Sequence, residues 1–257
     1  TGEFAQMILF AAVLLYVAPP NTREWRPIPE MTDEFDGSTL DGAKWHAHNP
    51  TWLGRQPGYF SPGNVTVRDG QMHITMRRED VPDLPDGYHT YTCAAVQSKT
   101  TTLYGYYETK CRPMRSRGSS AFWFYNDTPT WWTEIDVFEI GGGAPGHERK
   151  MHTDVHVFRK PEALTMKTTS DHGIYEHTAD LADDFHVYGL EWTPEQLTFY
   201  FDDVAVRTIE NRDYHQPLHL NLDSETMPDW FGLPEEANLP STFSVEYVRA
   251  WRLPESP

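Results

Sequence analysis

Residues 133–143 read TEIDVFEIGGG, a stretch that places the carboxylates of Glu134, Asp136 and Glu139 within six positions. The intervening Ile, Val and Phe are typical of a β-strand, on which side chains alternate between two faces. A regular strand would send Glu134 and Asp136 to one face and Glu139 to the other. A β-bulge, which adds one residue, returns Glu139 to the face of the first two. We therefore predict a bulged strand with all three carboxylates on one face.

Three carboxylates on one sheet face repel one another, which raises the pKa of at least one of them. A carboxyl group that keeps its proton beside one that ionises supplies a general acid and a nucleophile. Two such groups on this strand should lie roughly 5–7 Å apart, near the ~5–5.5 Å separation of retaining glycosidases. The pattern thus indicates glycoside hydrolysis. Two alternatives remain open: a solvent-facing acidic strand edge, and a divalent-cation site formed with His152, Asp154 and His156.

The run EIDVFE at residues 134–139 resembles the signature strand of glycoside hydrolase family 16 in its bulged form. It is similar to the laminarinase and carrageenase branches and above all to the β-agarase and β-porphyranase group. The resemblance implies an all-β jelly-roll sandwich of two antiparallel sheets, with a concave cleft for a polysaccharide. It also implies Glu134 as the nucleophile, Glu139 as the general acid/base, and Asp136 as the residue that tunes charge between them.

Aromatic and cationic side chains near this strand are candidates for binding substrate. The loop WLGR at residues 52–55 resembles that of the red-algal galactanases, which implies Trp52 as a stacking platform and Arg55 as a ligand for hydroxyls or sulfate. Trp132 lies two residues before the first carboxylate, so strand alternation places it on the catalytic face. The resemblance also implies that Trp123 faces the cleft.

Two further candidates lie later in the chain. Residues 150–158 alternate polar and apolar side chains, and pairing with the catalytic strand would bring His156 beside Glu139, where an imidazole tunes and orients the acid. A structural histidine is the alternative. Glu225 precedes an aromatic loop and resembles a residue of the agarase and porphyranase group that reaches a neighbouring galactose unit.

Composition limits the classes of partner. The chain has 257 residues, 9 Trp, 13 Tyr and a formal net charge of −17. This charge argues against binding to nucleic acid or to an anionic membrane, whereas aromatic rings suit a polysaccharide cleft. We expect a secreted, periplasmic or outer-surface protein with no membrane association in its mature form. We expect no metal in the catalytic site and no required cofactor; the resemblance leaves room for a structural calcium ion.

The N-terminus departs from the pattern of a folded domain. Residues 7–18 form an apolar run, MILFAAVLLYVA, that is too short to span a bilayer and matches the core of a signal peptide. We interpret residues 1–24 as a leader remnant or a sequence added for expression. Residues 25–257 then form one catalytic β-sandwich domain, a monomer or a weak oligomer through the apolar run.

The two cysteines, Cys93 and Cys111, lie on strands that we predict to form a hairpin, at residues 91–99 and 103–113. Directly opposed strand positions strain a disulfide, so two buried thiols are favoured over a bridge. Glu108 lies on the second strand and is expected on its outer face, away from the site.

Overall fold

Seventeen strands dominate the protein, whose computed structural model describes residues 19–21, 23–162 and 168–253. Three short 3₁₀ helices, Pro29–Met31, Pro62–Asn64 and Glu236–Asn238, are the other regular elements of this described part. The strands are β1 Arg26–Pro27, β2 Trp45–His46, β3 Gly58–Phe60, β4 Val65–Arg68, β5 Gln71–Arg78, β6 Tyr91–Thr102, β7 Gly105–Arg112, β8 Ser119–Asp127, β9 Trp132–Ile140, β10 Lys150–Arg159, β11 Thr169–Ser170, β12 Gly173–Glu176, β13 His186–Trp192, β14 Gln196–Phe201, β15 Val204–Glu210, β16 Leu218–Glu225 and β17 Ser241–Arg252.

Sixteen of the strands form two layers that we call the cleft sheet and the back sheet, and β3 pairs in parallel with the start of β6. The cleft sheet runs in the order β12-β10-β9-β8-β16-β6-β2, with β11 also on β10. The back sheet runs in the order β15-β14-β13-β7-β17-β5-β4, with β1 on β17. The end of β5 pairs with β6 and makes the two layers one curled sheet. The predicted all-β jelly roll is confirmed.

Apolar side chains from alternate strand positions fill the space between the layers. Phe138 of β9 packs on Tyr188 of β13, with ring centroids 4.4 Å apart, and Phe124 of β8 packs on Tyr107 of β7 at 4.8 Å. Each such ring contributes about 1.5–3 kcal/mol by leaving water. The opposite faces of β8, β9, β10 and β16 carry the polar residues, so the strand period itself places the candidate site on the outer surface of the cleft sheet.

The predicted hairpin between residues 91–99 and 103–113 is wrong. Strand β6 pairs with β16 and β2 in the cleft sheet, whereas β7 pairs with β13 and β17 in the back sheet. The turn at Tyr104, which has a positive φ of 58°, directs the chain across the core. Cys93 and Cys111 accordingly sit in different sheets as free, buried thiols.

The chain before β1 packs on the back sheet. Asn21 donates a hydrogen bond from Nδ2 to Glu191 Oε2 at 2.8 Å, and Arg23 Nε lies 2.8 Å from Glu191 Oε1. The apolar run at residues 7–18, with the association predicted through it, lies outside the described residues. Within the described part, no helix is long and apolar enough to cross a membrane.

Candidate active site

The predicted bulge is present in β9. Along the neighbouring β8, Phe122 pairs with Phe138 and the next residue, Trp123, pairs with Asp136, so Val137 is the extra residue. Val137 and Phe138 are both buried in the core. Since two consecutive apolar residues face inward, the alternation restarts after them, and the three carboxylates of the strand line one cavity.

An open cavity of about 430 Å³ lies on the cleft sheet above β9. Most of the residues predicted to form the site line it: Trp52, Arg55, Trp123, Trp132, Glu134, Asp136, Glu139 and Glu225. Tyr125 and Phe158, which sequence reasoning did not select, add two more rings to its wall. A concave surface with many rings and a few converging polar groups is typical of a small-molecule or glycan site.

Burial raises the pKa of all three carboxyl groups on β9 well above the usual range, and it is the largest cause in each case. Repulsion adds to it: Asp136 raises the pKa of Glu134 and of Glu139, and Asp154 raises that of Asp136. The charge of Arg55 opposes the shift in all three. Because burial and mutual repulsion both favour the neutral form, the cluster retains protons at a pH where isolated carboxyl groups are ionised.

His156 occupies a different place from the predicted one. Across β9 and β10 it pairs with Glu134, whereas Glu139 pairs with His152. Its Nε2 lies 3.3 Å from Asp136 Oδ2 and 3.9 Å from Glu134 Oε1. The expected contact with Glu139 is wrong, because antiparallel pairing sets the late residues of β10 against the early residues of β9. His156 therefore lies beside the other two carboxylates and is not among the residues that line the cavity.

Arg55 and Glu225 form an ion pair at the rim of the cavity. Arg55 Nε lies 2.9 Å from Glu225 Oε2, with the arginine side chain 48% exposed and the glutamate side chain 5% exposed. Burial raises the pKa of Glu225, and the guanidinium opposes that shift. The guanidinium also lies 6.0 Å from the ring centroid of Trp52, which meets Trp123 edge to face at 6.1 Å. The pair thus orients the guanidinium at the cavity mouth.

Asp223 is a site residue that sequence reasoning missed. Its Oδ2 accepts a 2.6 Å hydrogen bond from Trp123 Nε1, and its Oδ1 is buried without a hydrogen-bond partner among the described residues. Burial, and then the nearby Glu225, raise its pKa well above the usual range. The signal was in the sequence, because Asp223 lies two positions before Glu225 on one strand and so shares its face.

The side chains of Glu134, Asp136 and His156 also meet the geometric requirement of a cation site. One ligand atom from each lies within 4.8 Å of the others, and no other group of this kind occurs among the described residues. Oxygen and imidazole ligands suit several divalent ions. The cation alternative therefore involves two of the three carboxylates of the candidate catalytic strand, with His156 but without His152 or Asp154.

Comparison with known proteins agrees with this geometry. Residues 25–253 match the family model described as "Beta-porphyranase A-D, GH16 domain". The chain is 28% identical to β-porphyranase B of Zobellia galactanivorans, over 91% of this chain and 87% of that protein. It is 26% identical to the κ-carrageenase of Pseudoalteromonas carrageenovora, over 95% of this chain and 70% of that protein.

Solved structures show the same likeness. The crystal structure of porphyranase B from Zobellia galactanivorans superposes with a TM-score of 0.79 at 27% identity, covering 89% of this chain and 93% of that one. With a bulged strand of three carboxylates on a cleft sheet and a family model that matches residues 25–253, the chain belongs to glycoside hydrolase family 16.

Proposed function

We propose that this protein is an endo-acting, retaining hydrolase of β-galactosidic linkages in a red-algal galactan of agar type, porphyran or agarose. The observation that carries the proposal is the set of carboxylates on the bulged strand, in a cavity shared with Trp52, Arg55 and Glu225. The likeness to the β-porphyranase model supports the choice of polymer. A galactan polymer is too large to cross a membrane, so we propose that the protein acts outside the cytoplasm.

The proposed reaction has two displacements. Glu139 gives its proton to the glycosidic oxygen while Glu134 attacks the anomeric carbon, which forms a covalent glycosyl-enzyme. Glu139, now ionised, then takes a proton from water, which attacks the same carbon and releases Glu134. Because both displacements invert the carbon, the product keeps the configuration of the substrate.

Asp136 and His156 influence which of the two catalytic carboxyl groups keeps its proton. The charge of Asp136 raises the pKa of Glu139, which favours the protonated acid, and it raises that of Glu134 as well. His156 lowers the pKa of Glu134 in return. The nucleophile thus has a nearby imidazole that favours its ionised form, whereas the cross-strand partner of Glu139 is His152. The two environments push the pair toward one acid and one carboxylate.

The proposal is tested by release of reducing ends and by product sizing on porphyran, agarose, κ-carrageenan and laminarin. Wild type is compared with Glu134→Gln, which keeps the size of the side chain and removes the nucleophile. We expect oligosaccharides from porphyran or agarose, and none from the variant. Addition of a chelator should leave the rate unchanged if the carboxylates act without a cation.

The other outcomes are distinct. Cleavage of κ-carrageenan or laminarin alone would keep the reaction and overturn the roles proposed for Arg55 and Glu225. Retained binding to one polymer without cleavage would indicate a carbohydrate-binding module. A rate abolished by chelator would favour the cation site formed by Glu134, Asp136 and His156. No cofactor is needed for the proposed reaction, and a structural calcium ion remains an expectation, to be tested by melting with and without calcium.

A further inference from the structure

A second cavity, of about 530 Å³, opens on the outer surface of the back sheet, and it shares no lining residue with the cavity of the catalytic strand. Phe243 and Val245 of β17 are buried in the core, so the alternating residues Thr242 and Ser244 face outward. Arg112 of β7 is the cross-strand partner of Ser244 and lies on the same face. We call this the back cavity. Its polar lining includes Arg112, Arg115, Asp183, Ser241, Thr242 and Ser244.

Arg112 brings to the back cavity a positive charge that no described acid compensates. Its side chain is exposed, and its guanidinium lies 5.0 Å from the ring centroid of Phe185 but forms no ion pair or hydrogen bond with a described residue. Arg115, by contrast, is ion-paired with Asp183 and donates a hydrogen bond to Ala182 O at 3.1 Å. An arginine that is held against a ring and has no counter-ion is available to an anionic ligand.

Hydroxyl groups beside Arg112 add hydrogen-bond donors. Thr242 Oγ1 lies 3.1 Å from Thr75 Oγ1, and Ser244 Oγ lies 3.3 Å from His73 Nδ1. The two threonine hydroxyls carry two hydrogens and share one hydrogen bond, so Thr242 can accept from Thr75 and donate to a ligand. Ser244 can do the same when His73 Nδ1 carries the hydrogen. A guanidinium with neighbouring hydroxyl donors suits the oxygens of a tetrahedral oxyanion, a sulfate or a phosphate.

Size and charge indicate which oxyanion the back cavity accepts. Its volume lies within the range of about 300–1,000 Å³ that is typical of sites for whole ligand molecules, so it has room for a sugar together with an anionic group on it. The formal net charge of −17 repels a polyanion from most of the surface. A sulfated polymer is therefore expected to bind where a cation lacks a counter-ion, and Arg112 provides such a place.

We propose that the back cavity binds a sulfate ester of a galactan chain, with the guanidinium of Arg112 on the sulfate oxygens and the hydroxyl groups of Thr242 and Ser244 beside it. The inference rests on the proposed function for the choice of polymer, and it adds a contact on the sheet opposite the catalytic cleft. Because a second contact with the same polymer raises the effective concentration of substrate at the cleft, the site would hold the enzyme on sulfated material between cleavages.

The test measures binding and not cleavage, in protein that carries Glu134→Gln. Retention in affinity gels gives Kd for porphyran and for the same porphyran after chemical desulfation, at low ionic strength. Adding Arg112→Ala should raise Kd for the sulfated polymer on the order of tenfold and change Kd for the desulfated polymer by less than about twofold. Arg112→Lys keeps the charge without the planar fork and should recover part of the loss. Arg26→Ala removes an equal charge from an exposed position on β1 of the same sheet and is the matched control.

Inorganic sulfate separates the sulfate ester of a polymer from a free anion. Sodium sulfate, compared with sodium chloride at equal ionic strength, should weaken retention of the Glu134→Gln protein by porphyran, and should have less effect once Arg112→Ala is added. Binding of inorganic sulfate that depends on Arg112, without any effect of Arg112→Ala on porphyran, would assign the cavity to a free anion and overturn the inference.

The remaining outcomes are equally decisive. An equal rise in Kd from Arg26→Ala would show a general effect of charge, and an unchanged Kd in Arg112→Ala protein with a normal melting temperature would show that the cavity does not bind the polymer; either overturns the inference. Failure of wild type to cleave any of the four polymers, with a preference for sulfated porphyran that depends on Arg112, would contradict the proposed function and support the back cavity as a binding site.

Discussion

Each sheet of the protein contains a buried carboxyl group, and the two groups have different neighbours. Glu108 in the back sheet is 5% exposed, and its carboxylate lies 3.9 Å from Arg249 Nη1. Burial raises the pKa of Glu108 to about 7, although Arg249 and a hydrogen bond with Tyr247 act in the opposite direction. Asp136 in the cleft sheet is 4% exposed and has Asp154 and other carboxylates as neighbours. His156 Nε2 lies 3.3 Å from its Oδ2, but no described residue makes a well-aligned hydrogen bond to that oxygen.

This difference separates a structural from a functional acid. A buried carboxylate beside an arginine and a phenol has partners that offset part of the cost of its burial. A cluster of carboxylates in which buried oxygens of Asp136 and Asp223 receive no hydrogen bond from the described residues opposes folding. Such groups persist where chemistry requires them. The same substitution made in each sheet tests whether the two acids have these different roles.

The largest difference in activity is expected between the variants Glu134→Gln and Glu108→Gln. The first removes the nucleophile and should lower kcat by about 10⁴-fold or more, while melting temperature stays equal or rises because repulsion in the cleft is relieved. The second should keep kcat within about twofold and lower stability by about 1 kcal/mol. Steady-state kinetics and thermal melts of both variants check this. A comparable loss of kcat in Glu108→Gln would remove the distinction between the sheets.

A smaller effect is expected from Asp223, which we assign to positioning of the indole of Trp123. Asp223→Ala should lower kcat/KM about 10- to 100-fold, since it removes a buried hydrogen bond worth about 1–3 kcal/mol. Asp223→Asn keeps an oxygen that accepts from Trp123 Nε1 and should recover most of the activity. Near-UV circular dichroism of the two variants reports the ring environment. Equal kinetics for Ala and Asn would show that the hydrogen bond is not what matters.

The smallest expected effect is a change in the pH dependence of the free energy of unfolding. A carboxyl group whose pKa is raised in the folded state stabilises fully below its unfolded pKa of about 4, and this contribution is lost as the pH rises toward the folded value. Asp136→Asn should therefore gain stability relative to wild type between pH 5 and pH 8, by about 1 kcal/mol or more. For Glu108→Gln the same trend should level off above about pH 7. Urea unfolding at each pH measures both differences. A flat difference for Asp136→Asn would mean that its pKa is not raised.

Local rules were enough to predict much of the site. The bulge follows from three carboxylates that cannot share a face on a regular strand, and Trp132 follows from its distance of two residues from Glu134; both lie as predicted. The same rule applied to Glu225 would have found Asp223. These features depend on neighbours within one strand, where the alternation of side chains leaves little freedom.

Features that depend on pairing between distant strands were not predictable in the same way. The cysteine-bearing strands β6 and β7 follow each other in sequence and suggested a hairpin, yet the turn at Tyr104 sends them to different sheets. The partner of His156 depends on the register of β10 against β9. The sequence of either strand alone does not determine that register. The Arg55–Glu225 ion pair joins a loop and a strand 170 residues apart.

The central claim is that Glu134 is the nucleophile and Glu139 the acid/base, and rescue by azide tests it most directly. Glu134→Ala and Glu139→Ala are each given an activated aryl β-glycoside and azide, and the anomer of the glycosyl azide is read by NMR. Azide replaces the nucleophile in the first variant and attacks the glycosyl-enzyme in the second. The account predicts the α-azide from Glu134→Ala and the β-azide from Glu139→Ala. The reverse pattern, or the same anomer from both variants, would contradict it.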